Sequence, residues 1–357
     1  MKICLLTHSS DSSTGAGRFA SRLANGIESG IPGTQISILT ADNLLSPKLG
    51  SLFFNLRSIR KEFRMADVIH ALDAYPYGVM AHLANIFINK PLIITAVGAG
   101  SVKFLQSKSW RYFLLRRAYI SATKLTAISG YVAKEIKKYI PNLEIAVINH
   151  GVDSDFWSKE EGLLDDGISK AKPYILTVGE MKERKGYVKA LEVMSEVLKS
   201  CPKVKYVIVS NVERNIIYWR KIEEQIRNLK LTNKVIVVSK ISDENLRIIY
   251  QNAIAYLLLP QNVGGDVEGF GLALLEAAAS GLPVVVGKGS GADDALINNI
   301  SGYLVNQNSP HETVQRLVNL IKDDKLREKL STGARTFAIK MSWPKQVSKY
   351  LKIYEEF

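Results

Sequence analysis

Two glutamates, Glu268 and Glu276, are separated by seven residues and flank a glycine-rich segment that could bind a phosphorylated ligand. The apolar run before them predicts a buried strand, and the small residues from Gly271 onward predict a helix. Amides at a helix start attract anions, and glycines at 269 and 271 would let a phosphate come close. Glu276, about one and a half turns into the helix, could accept hydrogen bonds from a sugar diol. The alternative makes Glu268 a solvated loop residue and Glu276 a charge on a helix surface.

A second candidate site is the charged turn Arg184-Lys185-Gly186, which follows another apolar run. Its ammonium and guanidinium groups could neutralise a diphosphate. The alternative is a solvated turn without a ligand.

The segment Gly15-Ala16-Gly17-Arg18-Phe19-Ala20 formally fits a dinucleotide-binding fingerprint, with Asp42 at the end of the next strand. In that fingerprint the first glycine follows the strand directly, whereas His8–Thr14 intervene here. A nicotinamide-dependent dehydrogenase is therefore the weaker interpretation, and a polar loop over a ligand is the stronger one.

No metal site is predicted. Asp153-Ser154-Asp155 has the sequence pattern of a manganese-binding aspartate pair, but we interpret it as a structural turn. The five histidines are scattered, and His70 and His150 are interpreted as packed or hydrogen-bonded side chains at strand ends.

The elements that must position these residues are short apolar strands that alternate with helical patterns, which is typical of parallel sheets buried on both faces. Two such sets in series predict an α/β fold with two doubly wound domains. We place the domains at 1–160 and 161–342, with a C-terminal helix at 343–357 that returns to the first domain. The predicted strands are Lys2–Thr7, Gln35–Thr40, Val68–Ala71, Leu92–Ala96, Lys124–Ile128, Glu144–Ile148, Tyr174–Val178, Lys205–Ser210, Lys234–Val238, Ala255–Leu259 and Pro283–Val286.

Composition excludes several classes of protein. The 357 residues are 46% hydrophobic and 23% charged, which argues against a disordered chain. No apolar run reaches the ~18–20 residues that span a bilayer, and no signal peptide is visible. Two cysteines, Cys4 and Cys201, in different halves exclude a disulfide framework and favour the reducing cytoplasm.

The net charge of +13 is concentrated in the first half of the chain, where residues 50–124 hold 11 basic and 3 acidic residues. Segments 51–64 and 103–117 mix aromatic residues with cations. They could dock on an anionic membrane surface, with the protein peripheral on its inner face. The alternative is that the aromatics face the core and the cations face water. Nucleic acid is not predicted as a partner, because no nucleic-acid-binding module accompanies the charge.

Residues 260–283 resemble the signature of the family 4 retaining glycosyltransferases of the GT-B fold, also called glycosyl transferases group 1. Other segments resemble family elements in the same order along nearly the whole chain. These segments are Gly15-Ala16-Gly17, Asp67–Ala71, Gly151-Val152-Asp153, Val178-Gly179, Arg184-Lys185-Gly186, Ser242–Leu246 and Ser342-Trp343. The resemblance implies two Rossmann-like domains facing across a cleft. It also implies metal-independent, retaining hexosyl transfer from a UDP- or GDP-sugar to a hydroxyl of a glycan or lipid-linked acceptor, without a cofactor.

The resemblance also implies roles for particular residues. Glu268 would contact the donor sugar and Glu276 the nucleotide ribose. The remaining assignments are Gly269, Phe270, Gly271, Leu272, Lys185, Arg184 and Gly17 around the diphosphate and transferred sugar, Lys240 and Ile241 near the nucleobase, and Gly15, Arg18, Asp73 and Gly98 on the acceptor side.

Two positions depart from the family pattern. Glu180 follows Gly179 where an arginine is common, and Arg184 could supply the missing cation. Val97 stands where many members have a histidine. These departures keep open a nucleotide-binding protein that has lost activity. A non-hydrolysing nucleotide-sugar epimerase is a further alternative, although the glutamate spacing favours transfer.

Overall fold

The structure is a computed structural model that describes residues 1–11, 14–41, 43, 45, 52–107, 109–160, 162 and 166–357, with only the backbone described at 52–54 and 166–167. Asp42 of the dinucleotide fingerprint lies outside the described residues, as do Ser51 and Lys108 of the two basic segments. In the described part of the chain, no helix is both long enough and apolar enough to cross a membrane.

Strands and helices alternate through the described chain. The strands are β1 Lys2–Leu6, β2 Gln35–Leu39, β3 Val68–Ala71, β4 Leu92–Ala96, β5 Lys124–Ala127, β6 Ala146–Val147, β7 Tyr174–Val178, β8 Lys205–Val209, β9 Val235–Val238, β10 Ala255–Leu258, β11 Val284–Gly287 and β12 Gly302–Val305. The helices are α1 Gly15–Gly30, α2 Leu52–Met65, α3 Val79–Asn85, α4 Ala99–Val102, α5 Trp110–Ser121, α6 Gly130–Lys137, α7 Ser154–Ser158, α8 Asp166–Ser169, α9 Tyr187–Ser200, α10 Ile216–Asn228, α11 Asp243–Asn252, α12 Leu272–Ala279, α13 Pro310–Lys322, α14 Asp324–Lys340 and α15 Trp343–Tyr354.

The chain forms two compact units. The first comprises Met1–Gly151, Gly264–Gly269 and Trp343–Phe357, and the second comprises Val152–Val263 and Phe270–Ser342. Each unit is built on one six-stranded parallel sheet, which confirms the predicted α/β class.

The first sheet has the strand order β2-β1-β3-β4-β5-β6. The side chains of β3 and β4 are buried throughout, because helices cover both faces of a parallel sheet. All six predicted strands of this half are confirmed. The order reverses between β1 and β3, so the loops that follow these two strands lie at the switch point where such sheets bind ligands.

The second sheet has the order β12-β11-β10-β7-β8-β9, with its switch point between β7 and β10. The five strands predicted here are confirmed, but β12 was not predicted. Its four residues follow a polar turn and give too short an apolar run for recognition. Its first residue must be small, because a Cβ at Gly302 would lie 2.1 Å from the carbonyl oxygen of Val284 on the neighbouring strand.

The C-terminal helix α15 packs on α1 of the first unit. Two glycines of α1 allow the close approach, because a Cβ at Gly26 would lie 2.6 Å from Val347 Cγ1 and one at Gly30 would lie 2.3 Å from Leu351 Cδ1. The end of α15 also reaches the sheet, where Tyr354 Oη is hydrogen-bonded to Nδ1 of His70 at 2.5 Å.

His70 is a packed histidine, as the sequence indicated. Its Nε2 is 2.7 Å from Thr95 Oγ1, which in turn is 2.7 Å from Thr126 Oγ1. Complete burial lowers the pKa of the His70 imidazole from 6.5 to about 3, so the ring is neutral near neutral pH.

We expect Tyr354→Phe to lower the free energy of unfolding by about 1–3 kcal/mol, because it leaves the buried His70 Nδ1 without this partner. Urea unfolding at pH 7 measures the change. Tyr139→Phe is the matched control in the same unit, because its ring is 37% exposed. Equal unfolding midpoints for the two variants would contradict the expectation.

Candidate active site

The two strongest sequence candidates follow the two strands at the switch point of the second sheet. The turn that carries Lys185 follows β7, and the glycine-rich segment that carries Glu268 follows β10. Ligands of open parallel sheets bind outside the carboxyl ends of strands at such a point. The topology therefore brings the exits of β7 and β10 to one edge of the sheet.

The Lys185 turn is fixed to the end of β10. Gly186 has a φ of 70°, and a Cβ there would lie 1.7 Å from the carbonyl oxygen of Leu259. The amide of Gln261 donates to the carbonyl oxygen of Arg184 at 2.8 Å. Only glycine tolerates both the left-handed backbone and this contact, so Gly186 holds the turn in place.

Lys185 is buried, with 8% of its surface exposed. Its side chain runs beside Gly179 at the end of β7, because a Cβ added at Gly179 would lie 3.2 Å from Lys185 Cε and 3.5 Å from Nζ. Lysine is almost never this buried unless its ammonium group is compensated. A lysine so placed does not fit the alternative of a solvated turn.

Glu180, which stands where the family commonly has arginine, is surrounded by cations. Lys182 Nζ is 2.7 Å and Arg184 Nη2 is 3.5 Å from its Oε2. Partial burial opposes ionisation, but the hydrogen bond from Lys182 and the charges of Lys182, Arg184 and Lys185 outweigh it and lower the pKa of the Glu180 carboxyl. Arg184 thus forms an ion pair with Glu180, and its role toward a diphosphate stays a prediction.

The predicted helix after Gly271 is confirmed as α12. Gly271 is its N-cap with a φ of 88°, and among the described residues no side chain caps this helix start. Because nearly all of α12 is apolar and buried, the polar Glu276 is exceptional. Tyr250 Oη donates to Glu276 Oε2 at 3.1 Å. Glu276 is therefore a buried, oriented carboxylate, and the alternative of a surface charge is wrong.

Tyr250 is itself held by aromatic packing in the second unit. Its ring is fully buried, lies edge-on to Trp157 at 5.5 Å between centroids and stacks on Tyr256 at 6.2 Å. This packing fixes the hydroxyl that orients Glu276. Sequence reasoning missed Tyr250, because nothing in the local pattern of α11 relates it to a glutamate 26 residues later.

The segment Gly264–Gly269 packs with the first unit. Glu268 is buried, so the alternative of a solvated loop residue is wrong. The carbonyl oxygen of Gly269 accepts a 2.7 Å hydrogen bond from Ser129 Oγ, and a Cβ at Gly269 would lie 2.5 Å from the carbonyl oxygen of Val97. Ser129 also caps α6 by accepting from the Val132 amide at 3.2 Å. Sequence reasoning missed Ser129, although a serine before Gly130 is a helix-start signal.

At the switch point of the first sheet, Gly15, Gly17 and Arg18 follow β1 at the start of α1. Thr14 caps this helix by accepting from the Gly17 amide at 3.0 Å. A Cβ at Gly17 would lie 2.0 Å from the carbonyl oxygen of Asp11. Packing thus explains why position 17 is glycine, and the proposed contact of Gly17 with a diphosphate stays a prediction.

Asp73 follows β3 at the same switch point. Ser101 Oγ donates to Asp73 Oδ1 at 2.9 Å, and Gly98, with a φ of 148°, begins the short helix α4 that carries Ser101. Burial raises the pKa of Asp73 from 3.8 to about 6, although the hydrogen bonds that it accepts lower it. Asp73 can therefore hold or release a proton near neutral pH.

We expect Asp73 to make the native state less stable as the pH rises from about 4 to 6. Over this range the native carboxyl keeps a proton that the unfolded chain has lost, so the loss amounts to at most about 3 kcal/mol. Asp73→Asn removes this dependence. Melting temperatures of both proteins from pH 4 to 7 measure it: the wild-type value should fall relative to the variant, and parallel curves would contradict the expectation.

Lys240 and Ile241 follow β9 at the far end of the second sheet. Lys240 has a φ of 55°, and its exposed ammonium pairs with Glu213 Oε1 at 2.9 Å. Their proposed place near a nucleobase stays a prediction.

Asp153 and His150, the remaining candidate residues, have structural explanations. Asp153 caps α7 by accepting from the Phe156 amide at 3.2 Å, as expected for a turn residue. His150 is buried, which lowers its pKa to about 4. In the described part of the chain, no three or more His, Cys, Asp or Glu side chains form a group that could hold a metal ion. Metal independence stays a prediction.

Two family models and a curated relative match this chain. Residues 159–337 match the family model of glycosyl transferases group 1, and residues 14–156 match that of glycosyltransferase family 4. An uncharacterized glycosyltransferase of Methanocaldococcus jannaschii is 24% identical over 290 residues, which are 81% of this chain and 75% of that protein.

Solved structures are similar over nearly the whole chain. Anabaena HepE in complex with UDP and glucose has a TM-score of 0.79 at 15% identity, with 100% of both chains covered. WaaG, a glycosyltransferase involved in lipopolysaccharide biosynthesis, has a TM-score of 0.73 at 16% identity, with 98% of this chain and 99% of that chain covered. The family match in the second half and the two six-stranded parallel sheets together show that this chain belongs to the glycosyl transferases of group 1 and has their GT-B fold.

Proposed function

We propose that the protein transfers a hexosyl unit from a nucleoside-diphosphate sugar to a hydroxyl acceptor, with retention of the anomeric configuration and without a metal ion. The observation that carries the proposal is the placement of Lys185 and the Glu268 segment after the two strands at the switch point of the second sheet. Membership of the glycosyl transferases supplies the reaction class.

The donor side is assigned to these residues. Glu268 binds hydroxyls of the transferred sugar, and Glu276, oriented by Tyr250, accepts from the nucleotide ribose. The amides from Gly269 to Leu272 at the start of α12 bind the diphosphate, because aligned peptide dipoles favour an anion there. Lys185 neutralises the charge that develops on the departing diphosphate.

The acceptor side is assigned to the first unit, at the exits of β1 and β3. Gly15, Arg18, Asp73 and Gly98 lie on segments that follow strands there or beside them. We assign no general base, since the leaving phosphate can itself assist the incoming hydroxyl. A glycan or lipid-linked precursor is the proposed acceptor, supported by the role of the similar WaaG in lipopolysaccharide biosynthesis. A cytoplasmic location belongs to this proposal.

UDP is the donor nucleotide to test first, because HepE was solved with UDP and glucose. A thermal-shift panel with UDP, GDP, ADP and NAD at matched concentrations tests the donor class. A ligand at 100 times its dissociation constant stabilises a protein by about 2.7 kcal/mol. A selective response to UDP or GDP supports the proposal, and a response to NAD alone contradicts it.

Turnover is tested with the matching nucleotide sugar and an acceptor mixture, with and without a chelator. Nuclear magnetic resonance of the product should show the anomeric configuration of the donor, and the chelator should not change the rate. An inverted product would contradict retention. Sugar interconversion without an acceptor would instead reveal an epimerase, and nucleotide binding without any turnover would reveal an inactive binding protein.

A further inference from the structure

Helix α5 of the first unit exposes large apolar side chains along one stripe. Trp110 is 56% exposed, Phe113 is 61% exposed and Ile120 is 50% exposed. Their spacing, with Arg117 between the last two, places them on one face of the helix. The opposite face packs into the core through Leu115 and Ala118. The exposed aromatics are therefore not explained by the helix packing.

A further aromatic residue lies beyond the neighbouring helix. Phe87 follows α3, is 89% exposed and has a φ of 71°. His82 of α3 is hydrogen-bonded to Ser121 at the end of α5, with 2.6 Å between Nδ1 and Oγ. The two helices are thus joined within one unit. A phenylalanine held in solvent on a left-handed backbone is unusual, because that conformation is unfavourable for bulky residues.

The sequence that carries these side chains is rich in basic residues. Residues 74–134 hold eight lysines and arginines and no aspartate or glutamate. Arg116 and Arg117 are exposed on α5. The Arg111 guanidinium lies 5.2 Å from the ring centroids of both Phe104 and Trp110. Cations thus accompany the exposed rings.

We propose that this aromatic-basic surface, formed by Phe87, Trp110, Phe113, Ile120 and the arginines of α5, docks on an anionic lipid bilayer. Tryptophan and phenylalanine enter the boundary between headgroups and acyl chains, and arginines bind the anionic headgroups. A nucleic acid fits less well, because Ile120 offers a base neither a hydrogen bond nor a ring on which to stack. This inference deepens the proposed function, since a bilayer would present a lipid-linked acceptor to the first unit.

Flotation of the full chain with lipid vesicles tests the surface. The wild-type protein should float with phosphatidylcholine vesicles that contain phosphatidylglycerol and much less with phosphatidylcholine alone. Trp110→Ser with Phe113→Ser should weaken binding by about tenfold or more, because both interfacial rings are lost. Arg116→Gln with Arg117→Gln should remove the preference for the anionic vesicles.

The matched control is Ile216→Ser with Ile217→Ser on α10 of the second unit, where Ile217 is 81% exposed. It removes exposed apolar surface elsewhere and should float as the wild type does. Absence of flotation with both vesicles, or equal flotation of the Trp110/Phe113 variant, would overturn the proposal. The proposal would also be overturned if the wild-type protein bound no vesicles but formed a dimer that the Trp110/Phe113 variant could not form. That result would assign the surface to self-association.

Donor binding in solution separates this inference from the proposed function. Both surface variants should keep the nucleotide-induced thermal shift of the wild type, because the substituted residues lie outside the donor segments. Flotation without any response to nucleotides would contradict the proposed function and leave the docking surface intact. A nucleotide response without flotation would support the proposed function and contradict the docking surface.

Discussion

Glu268→Gln should lower kcat for sugar transfer by about 100- to 1000-fold, as expected when one charged contact to the transition state is removed. The side chain is buried, and glutamine has nearly the same shape, so the loss reports the carboxylate charge rather than packing. Positive charge develops on the sugar ring as the bond to the diphosphate breaks. A carboxylate that binds the ring hydroxyls therefore stabilises the transition state more than the ground state.

Asp266→Asn is the matched control for Glu268. It neutralises a carboxylate two residues earlier in the same segment, where the side chain is partly exposed. We expect its kcat to stay within about twofold of the wild type, because Asp266 is given no contact with the donor. Full transfer activity in Glu268→Gln, or an equal loss in both variants, would contradict the assigned role.

The two sheets were predictable from the sequence, because parallel strands that are buried on both faces appear in it as short apolar runs. Tyr174–Val178 and Val68–Ala71 are short, mostly apolar runs, and the structure has the same limits. Gly302–Val305 was not predicted, because its apolar run is too short to recognise. It forms a strand because its neighbour Val284–Gly287 supplies hydrogen-bond partners, and no local pattern encodes that partnership.

The types and spacing of the donor residues were also predictable, but their environments were not. Taken alone, the local sequence favoured a solvated turn for Lys185, and only the family resemblance assigned it to a diphosphate. Its burial arises from the contact of Gly186 with Leu259, which is distant in the sequence, and from the space left by Gly179 after β7. Ser129 and Tyr250 were not predicted for the same reason, because their hydrogen-bond partners, Gly269 and Glu276, are distant in the sequence.

The aromatic residues of α5 show the limit of helical spacing. Leu115 and Trp110 are both large and apolar, yet the first is fully buried and the second is mostly exposed. Spacing identifies residues that share a face, but only the packing of neighbouring elements decides which face is covered. The sequence therefore left core packing and membrane docking as equal alternatives for this segment.

Lys185→Met should lower kcat by about 100- to 1000-fold and should also weaken donor binding, because the ammonium neutralises diphosphate in both the ground state and the transition state. Methionine keeps most of the buried stem beside Gly179 and removes the charge. Lys182→Met is the matched control, since that exposed lysine pairs with Glu180 in the same turn. It should keep nearly full activity.

The two donor variants differ in one further measurement. Glu268→Gln should keep the thermal shift produced by UDP or GDP, because the free nucleotide lacks the sugar that Glu268 binds. Lys185→Met should lose most of that shift, because the nucleotide still carries the diphosphate that Lys185 neutralises. An unchanged shift in Lys185→Met, or the same reduction in Lys182→Met, would contradict the assignment. The pair of variants thus separates recognition of the departing diphosphate from stabilisation of the transferred sugar in the transition state.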